Sequence, residues 1–213
     1  MLKLNQPAMA FHFLLKGIVI GLAIAAPVGP IGVLCIRRSL DYGRVLGLAT
    51  GLGAATADAA YGGVAAFGLA TISNFLIGQR FWLGLLGGLF LCYLGIRTFR
   101  SQPTMQGSEI QGGKLFSAYL STLLLTLANP MTILSFIAVF AGFGLAATPG
   151  YGSASLLVAG VFLGSAGWWL VLSSSVALLR SRLGMEKMRF VNRLSGGIIF
   201  AFGLYSLSTL IFK

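Results

Sequence analysis

Asp58 is the residue best suited to chemistry in this sequence, because it lies deep in an apolar segment. It stands in the run Gly51-Leu-Gly-Ala-Ala-Thr-Ala-Asp-Ala-Ala-Tyr61, about 20 Å along a predicted helix that rises 1.5 Å per residue. A carboxylate at that depth in a membrane is costly unless it is paired, hydrated or protonated. The position therefore predicts proton transfer or binding of a substrate's cationic group. The alternative is a hydrogen bond that merely joins two helices.

Asp58 is expected to share a helix face with small residues. Gly47, Gly51, Ala55, Asp58 and Gly62 follow spacings of four, four, three and four, which puts them on one side of a helix. Because that face carries few side-chain atoms, we expect another group to approach the carboxylate closely. Asp58 is also the only acid expected inside an apolar segment. The remaining acids are expected in loops: Asp41, Glu109 and Glu186.

Prolines interrupt two of the apolar segments and provide a second set of candidate residues. Pro27, Gly29 and Pro30 lie in the middle of the first segment, and Asn129-Pro130 lies at a corresponding depth in the fourth. Proline removes a backbone donor and kinks or breaks a helix. In lipid, broken backbone is tolerated only where it is buried in protein or lines a cavity. We therefore expect both breaks to border a site; for Asn129, the alternative is an ordinary proline kink capped by its own side chain.

The composition indicates that these residues are positioned within a membrane protein. The chain has 213 residues, of which 57% are hydrophobic and 9% charged. So few charges do not cover a soluble fold. The net charge is +11, and its basic residues fall between apolar blocks, so they are expected to contact lipid headgroups rather than nucleic acid. The sequence has no phosphate-binding loop and no His or Cys cluster, and Cys35 and Cys92 are expected only to pack, so we expect no cofactor, no metal site and no enzyme.

The apolar blocks predict six transmembrane helices, since a spanning helix takes roughly 20 residues. The predicted spans are 13–36, 45–70, 81–98, 116–142, 152–179 and 191–212. Eleven of the 15 basic residues, Arg37 and Arg38 among them, fall in the loops after spans one, three and five. Positive charge accumulates in cytoplasmic loops, so both termini are predicted to be extracytoplasmic. We expect the basic side chains to face anionic lipid headgroups.

The chain is predicted to divide into two similar halves, residues 1–98 and 116–213, joined by a flexible polar linker, 99–115. Gly51 and Gly160 are offset by 109 residues, as are the Gly-Gly pairs at 87–88 and 196–197. Because each half holds three spans, the second half must be inverted relative to the first. Inverted repeats that each contain an interrupted helix are typical of secondary transporters.

Span five carries small and aromatic residues whose role is less specific. Gly160, Gly164 and Gly167 predict a close helix contact, within the protomer or between protomers. Trp168 and Trp169 lie near the middle of the span, away from the interfacial aromatic belt. We expect them to fill the core; stacking on a substrate is the alternative.

The ordered runs along the chain resemble the lysine-exporter (LysE/RhtB) family of bacterial amino-acid exporters. The first runs that carry the resemblance are Ala26-Pro-Val-Gly-Pro-Ile-Gly32, Arg38-Ser-Leu-Asp-Tyr-Gly-Arg44 with Gly47, and Gly51-x-Gly-x-x-x-x-Asp58-x-x-Tyr61. Tyr93-Leu-Gly-Ile-Arg97 and Ala128-Asn-Pro-Met-Thr-Ile-Leu134 are similar to the later motifs. The resemblance implies a translocator of the bacterial cytoplasmic membrane, driven by the proton gradient or the membrane potential, and adds Tyr61 to the candidate site. One departure is Met131, since the family often has a basic residue after Asn-Pro.

These observations lead to one expectation for the fold and one for the function. We expect an all-α integral membrane protein of six transmembrane helices, built as two inverted three-helix repeats in which helices 1 and 4 are broken by proline. We expect a proton-coupled exporter of amino acids or related small solutes that works by alternating access. Its substrate- and ion-binding residues are expected to be Pro27, Gly29, Pro30, Asp58, Tyr61, Asn129 and Pro130.

Several alternatives stay open at this point. A small-solute or cation channel would have the same helices, while a membrane enzyme would require a second catalytic group near Asp58. A purely structural subunit would have little reason to bury two helix breaks. The residues do not specify which amino acid, other solute or cation is carried, and the glycine faces are compatible with a homodimer.

Overall fold

The chain is built from α-helices. The computed structural model describes residues 6–27, 29–67, 78–101, 112–129, 132, 135–136, 139, 150–180 and 184–211. Within these ranges there are seven helices and no strand: α1 (Gln6–Ala25), α2 (Pro30–Tyr42), α3 (Arg44–Ala66), α4 (Arg80–Arg100), α5 (Gly112–Leu127), α6 (Tyr151–Arg180) and α7 (Met185–Ile211). The predicted all-α class is confirmed. Of the predicted linker 99–115, residues 102–111 lie outside the described ranges.

Three of these helices are long and apolar enough to cross a membrane by themselves. They are Phe81–Arg100, Tyr151–Leu179 and Glu186–Leu210, and the bent pair Phe11–Ala25 with Pro30–Tyr42 qualifies as one further span. α3 carries Asp58 and many small residues, and α5 has 16 residues, so neither reaches the same combination of length and apolarity. The described helices therefore account for up to four spans on length and composition alone.

The predicted break in the first span is confirmed. α1 ends at Ala25, α2 begins at Pro30, and their axes meet at 81°. Neither Pro27 nor Pro30 has a backbone N–H, so the helical hydrogen-bond ladder cannot run through this segment. Pro30 occupies the first position of α2, where the missing N–H would have no helical partner in any case.

The first span also extends further than predicted. α2 continues through Arg37, Arg38 and Asp41 and ends at Tyr42, where Gly43, whose φ is 90°, caps it. The expectation that these residues lie in a headgroup-facing loop is wrong, as is the expectation that Asp58 is the only acid within the helices. A hydropathy window ends at the first charges, but helix α2 does not, because neighbouring helices supply those charges with polar partners.

Glycines allow α1 and α6 to pack closely. A Cβ on Gly17 or Gly21 would overlap backbone carbonyls of α6, and a Cβ on Gly160 or Gly164 would overlap those of α1. The predicted close helix contact is therefore confirmed for Gly160 and Gly164, and it lies within one chain. Gly167 takes no part in it, because a Cβ there would meet no atom within 4 Å. The contacts advance together along both helices, so α1 and α6 run parallel.

α3 packs between α5 and α6, and it runs parallel to α5 but antiparallel to α6. Gly51 lies against Trp169 of α6, whereas Asp58, later in α3, contacts the earlier Ser165, so α3 and α6 are antiparallel. On its other side, Thr56 accepts a hydrogen bond from Tyr119 of α5, while later contacts lie further along both helices, so these two run parallel.

α4 and α7 form a separate antiparallel pair. A Cβ on Gly88 would lie 2.9 Å from the Leu207 side chain, and one on Gly95 would lie 2.6 Å from the backbone nitrogen of Phe200. Moving forward along α4 thus means moving backward along α7. α2 joins this pair to the rest of the bundle, because it packs on α3, α6 and α7.

Candidate functional site

Asp58 is buried and faces helix α6. Its side chain is 3% exposed, and Ser165 donates a hydrogen bond from Oγ to the carboxylate Oδ2 at 2.7 Å. Trp169, one turn further along α6, donates from Nε1 to Ser165 Oγ at 3.1 Å. We call these three residues the Asp58 cluster. Among the described side chains, only Ser165 donates to Asp58, and none forms an ion pair with it.

The small-residue face of α3 makes this cluster possible. A Cβ on Gly51 would overlap the Trp169 side chain, so glycine is what allows Trp169 to pack directly against α3. Gly47 similarly accommodates Ser39 and Ser173, and Gly62 contacts Val161. The groups that approach this face are therefore helix α6 and, at Gly47, Ser39 of α2. The Asp58 carboxylate is therefore covered by α6 in this structure.

Trp169 belongs to the core, as predicted, but it also has a polar role. It is 4% exposed and packs in a cluster with Ala54, Ala55 and residues on both sides of the first-span break. Its indole N–H orients Ser165, which in turn holds the carboxylate. The sequence analysis did not include Ser165 and Trp169 in the site; their i, i+4 spacing on a small-residue helix is the signal that could have identified them.

Tyr61 connects α3 to the end of α5. It lies one turn after Asp58, is 5% exposed, and donates its hydroxyl to the backbone carbonyl of Leu127. Its ring packs on Phe136, with 5.8 Å between ring centroids. The hydroxyl thus satisfies a carbonyl at the point where α5 stops, immediately before the predicted fourth-span break.

Asn129 lies just beyond α5 in a turn. Its N–H donates to the Thr126 carbonyl at 3.2 Å, and its own carbonyl accepts from the Thr132 N–H at 3.1 Å. The helix therefore ends before Asn-Pro, where the sequence predicts a break. Pro130 and Met131 lie outside the described residues.

The first break leaves open space beside α2. Pro27 is exposed, while Gly29 and Pro30 are half-buried. Gly29 caps α2 with extended backbone, and a Cβ there would meet no atom within 4 Å. The residues that follow, including Ile31 and Val33, pack in the same apolar cluster as Trp169. The amino terminus of α2 thus borders both free space and the core that surrounds the Asp58 cluster.

A second buried carboxylate, which the sequence analysis placed in a loop, lies between α2, α4 and α7. Asp41 is 3% exposed; its Oδ2 lies 3.1 Å from Arg37 Nε, and its Oδ1 accepts from Asn192 Nδ2 at 3.2 Å. Arg37 also donates to Thr98 and Ser101 at 2.9 Å each. We call these five residues the Asp41 cluster. An acid four residues after an arginine on one helix is the pattern that could have revealed it.

Arg38 also points inward rather than toward headgroups. Its guanidinium donates to Thr50 on α3 and to Thr122, Ser121 and the Ala118 carbonyl on α5, at 2.9 to 3.1 Å. All four acceptors are neutral. The residue ties α2 to the amino-terminal half of α3 and to the middle of α5, and this explains why the helix does not stop at the charges.

The described residues offer no metal centre. No group of three or more His, Cys, Asp or Glu side chains among them could hold a metal ion. Among the described residues, buried polar side chains converge in the two aspartate clusters and around Arg38 instead, and of the two acids only Asp58 has no described cation beside it.

Comparison with known proteins identifies relatives over nearly the whole chain. The family model described as LysE type translocator matches residues 22–209. The uncharacterized membrane protein YahN of Escherichia coli K12 is 34% identical over 174 residues, covering 79% of this chain and 77% of that protein. The putative amino acid efflux protein YcgF of Bacillus subtilis 168 is 28% identical over 91% of this chain and 94% of its own length. The threonine efflux protein of Escherichia coli K12 is 26% identical, covering 92% and 98%. No solved structure matches the chain.

Proposed function

This chain belongs to the LysE type translocator family of membrane transport proteins, as its motifs predicted, and on that premise we propose that it exports amino acids or related small solutes across the bacterial cytoplasmic membrane. Two relatives support this substrate class by name, the threonine efflux protein and the putative amino acid efflux protein. The proposed mechanism is proton-coupled alternating access, with both termini outside the cell.

The proposed architecture is six spans in two inverted repeats, 1–98 and 116–213. Helix direction supports it. In this proposal α1 and α2 together form span one, and helices α3 to α7 form spans two to six. Two odd-numbered spans (α1 and α6) run parallel, as do two even-numbered spans (α3 and α5). The pairs that combine an odd with an even span, α3–α6 and α4–α7, are antiparallel, as successive crossings of a membrane require. Packing supports it too, because exchanging the halves converts the α1–α6 contact into α5–α3 and maps α3–α6 and α4–α7 onto themselves.

The observation that carries the proposal is the uncompensated burial of Asp58. A carboxylate that is 3% exposed and held by one serine hydroxyl has no described cation beside it. Such a group is costly as an anion inside a membrane, so it favours a proton or an ammonium partner. We propose that it alternates between a substrate ammonium and the exchanged proton.

The amino terminus of α2 is the proposed partner for the substrate carboxylate. Helix amino termini carry free N–H groups and a partial positive charge, which stabilise anions. Gly29 leaves space there, and Pro30 keeps the helix start fixed. Tyr61, Asn129 and Pro130 are proposed as further substrate-binding residues, and Tyr61 already contacts the end of α5.

Alternating access requires that the contact between α3 and α6 over Asp58 opens. Trp169 covers Gly51, and Ser165 occupies a carboxylate oxygen, so a substrate can replace Ser165 only when α6 separates from α3. Since α3 and α6 belong to different proposed halves, rocking of one half against the other would open this contact.

The test is Asp58→Asn in proteoliposomes, measured by counterflow of labelled threonine and by transport at several pH values. Loss of a charged partner for an ammonium costs about 1.5–3 kcal/mol, so exchange should fall roughly tenfold to a hundredfold. Glu186→Gln is the matched control, because Glu186 is an exposed acid in the first turn of α7. Unchanged exchange with unchanged pH dependence in Asp58→Asn would remove Asp58 from the mechanism. Flux without counterflow in the unmodified protein would favour a channel.

A further inference from the structure

A basic pocket lies where α2 and α4 come together, outside the proposed transport site. It is a cavity of about 530 Å³, and its polar lining includes Arg37, Arg97 and Arg100 together with Tyr42 and Tyr93. Tyr93, Arg97 and Arg100 recur at spacings of four and three, so they share one face of α4. α2 contributes the remaining two of these five side chains.

The pocket carries excess positive charge. Arg37 is already paired with Asp41. Arg97 and Arg100 are exposed, and neither forms an ion pair with a described carboxylate. Two guanidiniums without a described counterion, beside two phenol rings, favour an anion that accepts several hydrogen bonds. Phosphate is such an anion, and arginine binds it in a bidentate way.

An apolar groove continues from the basic pocket between α4 and α7. It has a volume of about 330 Å³ and shares Ile96 and Arg100 with the pocket. Its walls are Phe99 and Phe200, and glycine forms its floor. A Cβ on Gly197 would meet no atom within 4 Å, so the floor is open.

The depth of these two features fits the edge of a bilayer. Arg97 and Arg100 occupy the last turn of α4, at the end of a helix that is long and apolar enough to span. Basic pockets between transmembrane helices at this level bind anionic lipid headgroups. A soluble phosphate would occupy the pocket but would gain nothing from the groove.

We infer that the basic pocket and the apolar groove together form a binding site for an anionic phospholipid. The phosphate lies against Arg97 and Arg100, and one acyl chain follows the groove over Gly197. The bound lipid bridges α4 and α7, the helices that come from different halves of the chain. This site is independent of the proposed transport of amino acids.

The test is native mass spectrometry of the purified full chain with added phosphatidylglycerol or phosphatidylcholine. The unmodified protein is expected to retain phosphatidylglycerol preferentially. In the double variant Arg97→Gln with Arg100→Gln, each lost arginine should weaken that binding roughly fivefold. Gly197→Leu adds a side chain to the groove at a position where a Cβ meets no atom within 4 Å, and it should also weaken the binding. Arg44→Gln, at an exposed arginine outside both cavities, is the matched control and should bind as the unmodified protein does.

Three results would overturn the inference. They are equal retention of both lipids, binding unchanged in the double variant, and displacement of the lipid by glycerol 3-phosphate alone, which would mark a site for soluble phosphate. Gel filtration of each variant shows that it is folded. Because Arg97 and Arg100 are exposed and Gly197 faces open space, the variants should keep the fold, and lipid loss would then report binding directly.

Discussion

Asp58 and Asp41 are equally buried but lie in opposite electrostatic surroundings. Each is 3% exposed. Asp41 faces a guanidinium at 3.1 Å and an amide donor, and its cluster joins α2, α4 and α7. Asp58 faces one neutral hydroxyl across the α3–α6 contact. A carboxylate whose charge is balanced inside the protein is a structural tie, whereas one left unbalanced remains available to a proton or a substrate. Burial alone would have ranked the two equally.

Between the two aspartates, the largest effect is expected from substitution of Asp41, and it should appear in the stability of the protein. Asp41→Asn leaves Arg37, which is 11% exposed, without its counterion, and breaking a buried pair from one side costs up to about 3–5 kcal/mol. The free energy of unfolding, measured in mild detergent, should therefore fall by roughly that amount. Asp58→Asn deprives no described cation of its counterion, so it should leave the free energy of unfolding nearly unchanged.

A double variant sharpens this prediction. Arg37→Leu with Asp41→Leu removes both charges, so it should recover part of the stability lost in Asp41→Asn. If Asp41→Asn unfolds no more easily than the exposed control Glu186→Gln, the Asp41 cluster is not a structural tie.

A smaller effect is expected at Ser165, and it should appear in transport. Ser165→Ala removes the only described donor to Asp58, a hydrogen bond worth about 1 kcal/mol, which corresponds to roughly a fivefold change. The half-saturating substrate concentration in the exchange assay should shift by that factor. Ser155→Ala is the matched control, since this exposed serine of α6 donates only to its own helix. A shift of equal size in both variants would show that Ser165 does not act through Asp58.

The smallest effect is expected at Trp169. Trp169→Phe keeps an aromatic ring against Gly51 but removes the indole N–H that orients Ser165, so a weaker, indirect change of about 0.5 kcal/mol, near twofold in exchange, should result. Trp168→Phe is the control, because the Trp168 indole makes no hydrogen bond to a described residue. Loss of exchange far beyond this size would indicate that the indole contacts the substrate itself.

The first-span break and the Asp41 cluster show where prediction from sequence works and where it stops. The break follows from Pro27 and Pro30, because proline alters the backbone wherever it stands. The cluster was missed because an apolar window ends at Arg37. Nothing local indicates that Thr98 and Ser101 will accept from that arginine or that Asn192 will donate to Asp41. The same reasoning placed Arg38 in a loop, although its acceptors lie 12 to 84 residues away along the chain.

The sequence by itself determined the all-helical class, the family, the break before Pro30 and the position of Asp58 inside a helix, since composition, proline and an acid in an apolar run act through the local chain. Tertiary structure alone decided which buried acid is balanced. Ser165, the partner of Asp58, is 107 residues away along the chain, and Asn192, one of the partners of Asp41, is 151 residues away. Such pairs form only when helices pack. Charge compensation is a property of the assembled bundle, because the electrostatic cost of a buried group depends on which atoms surround it.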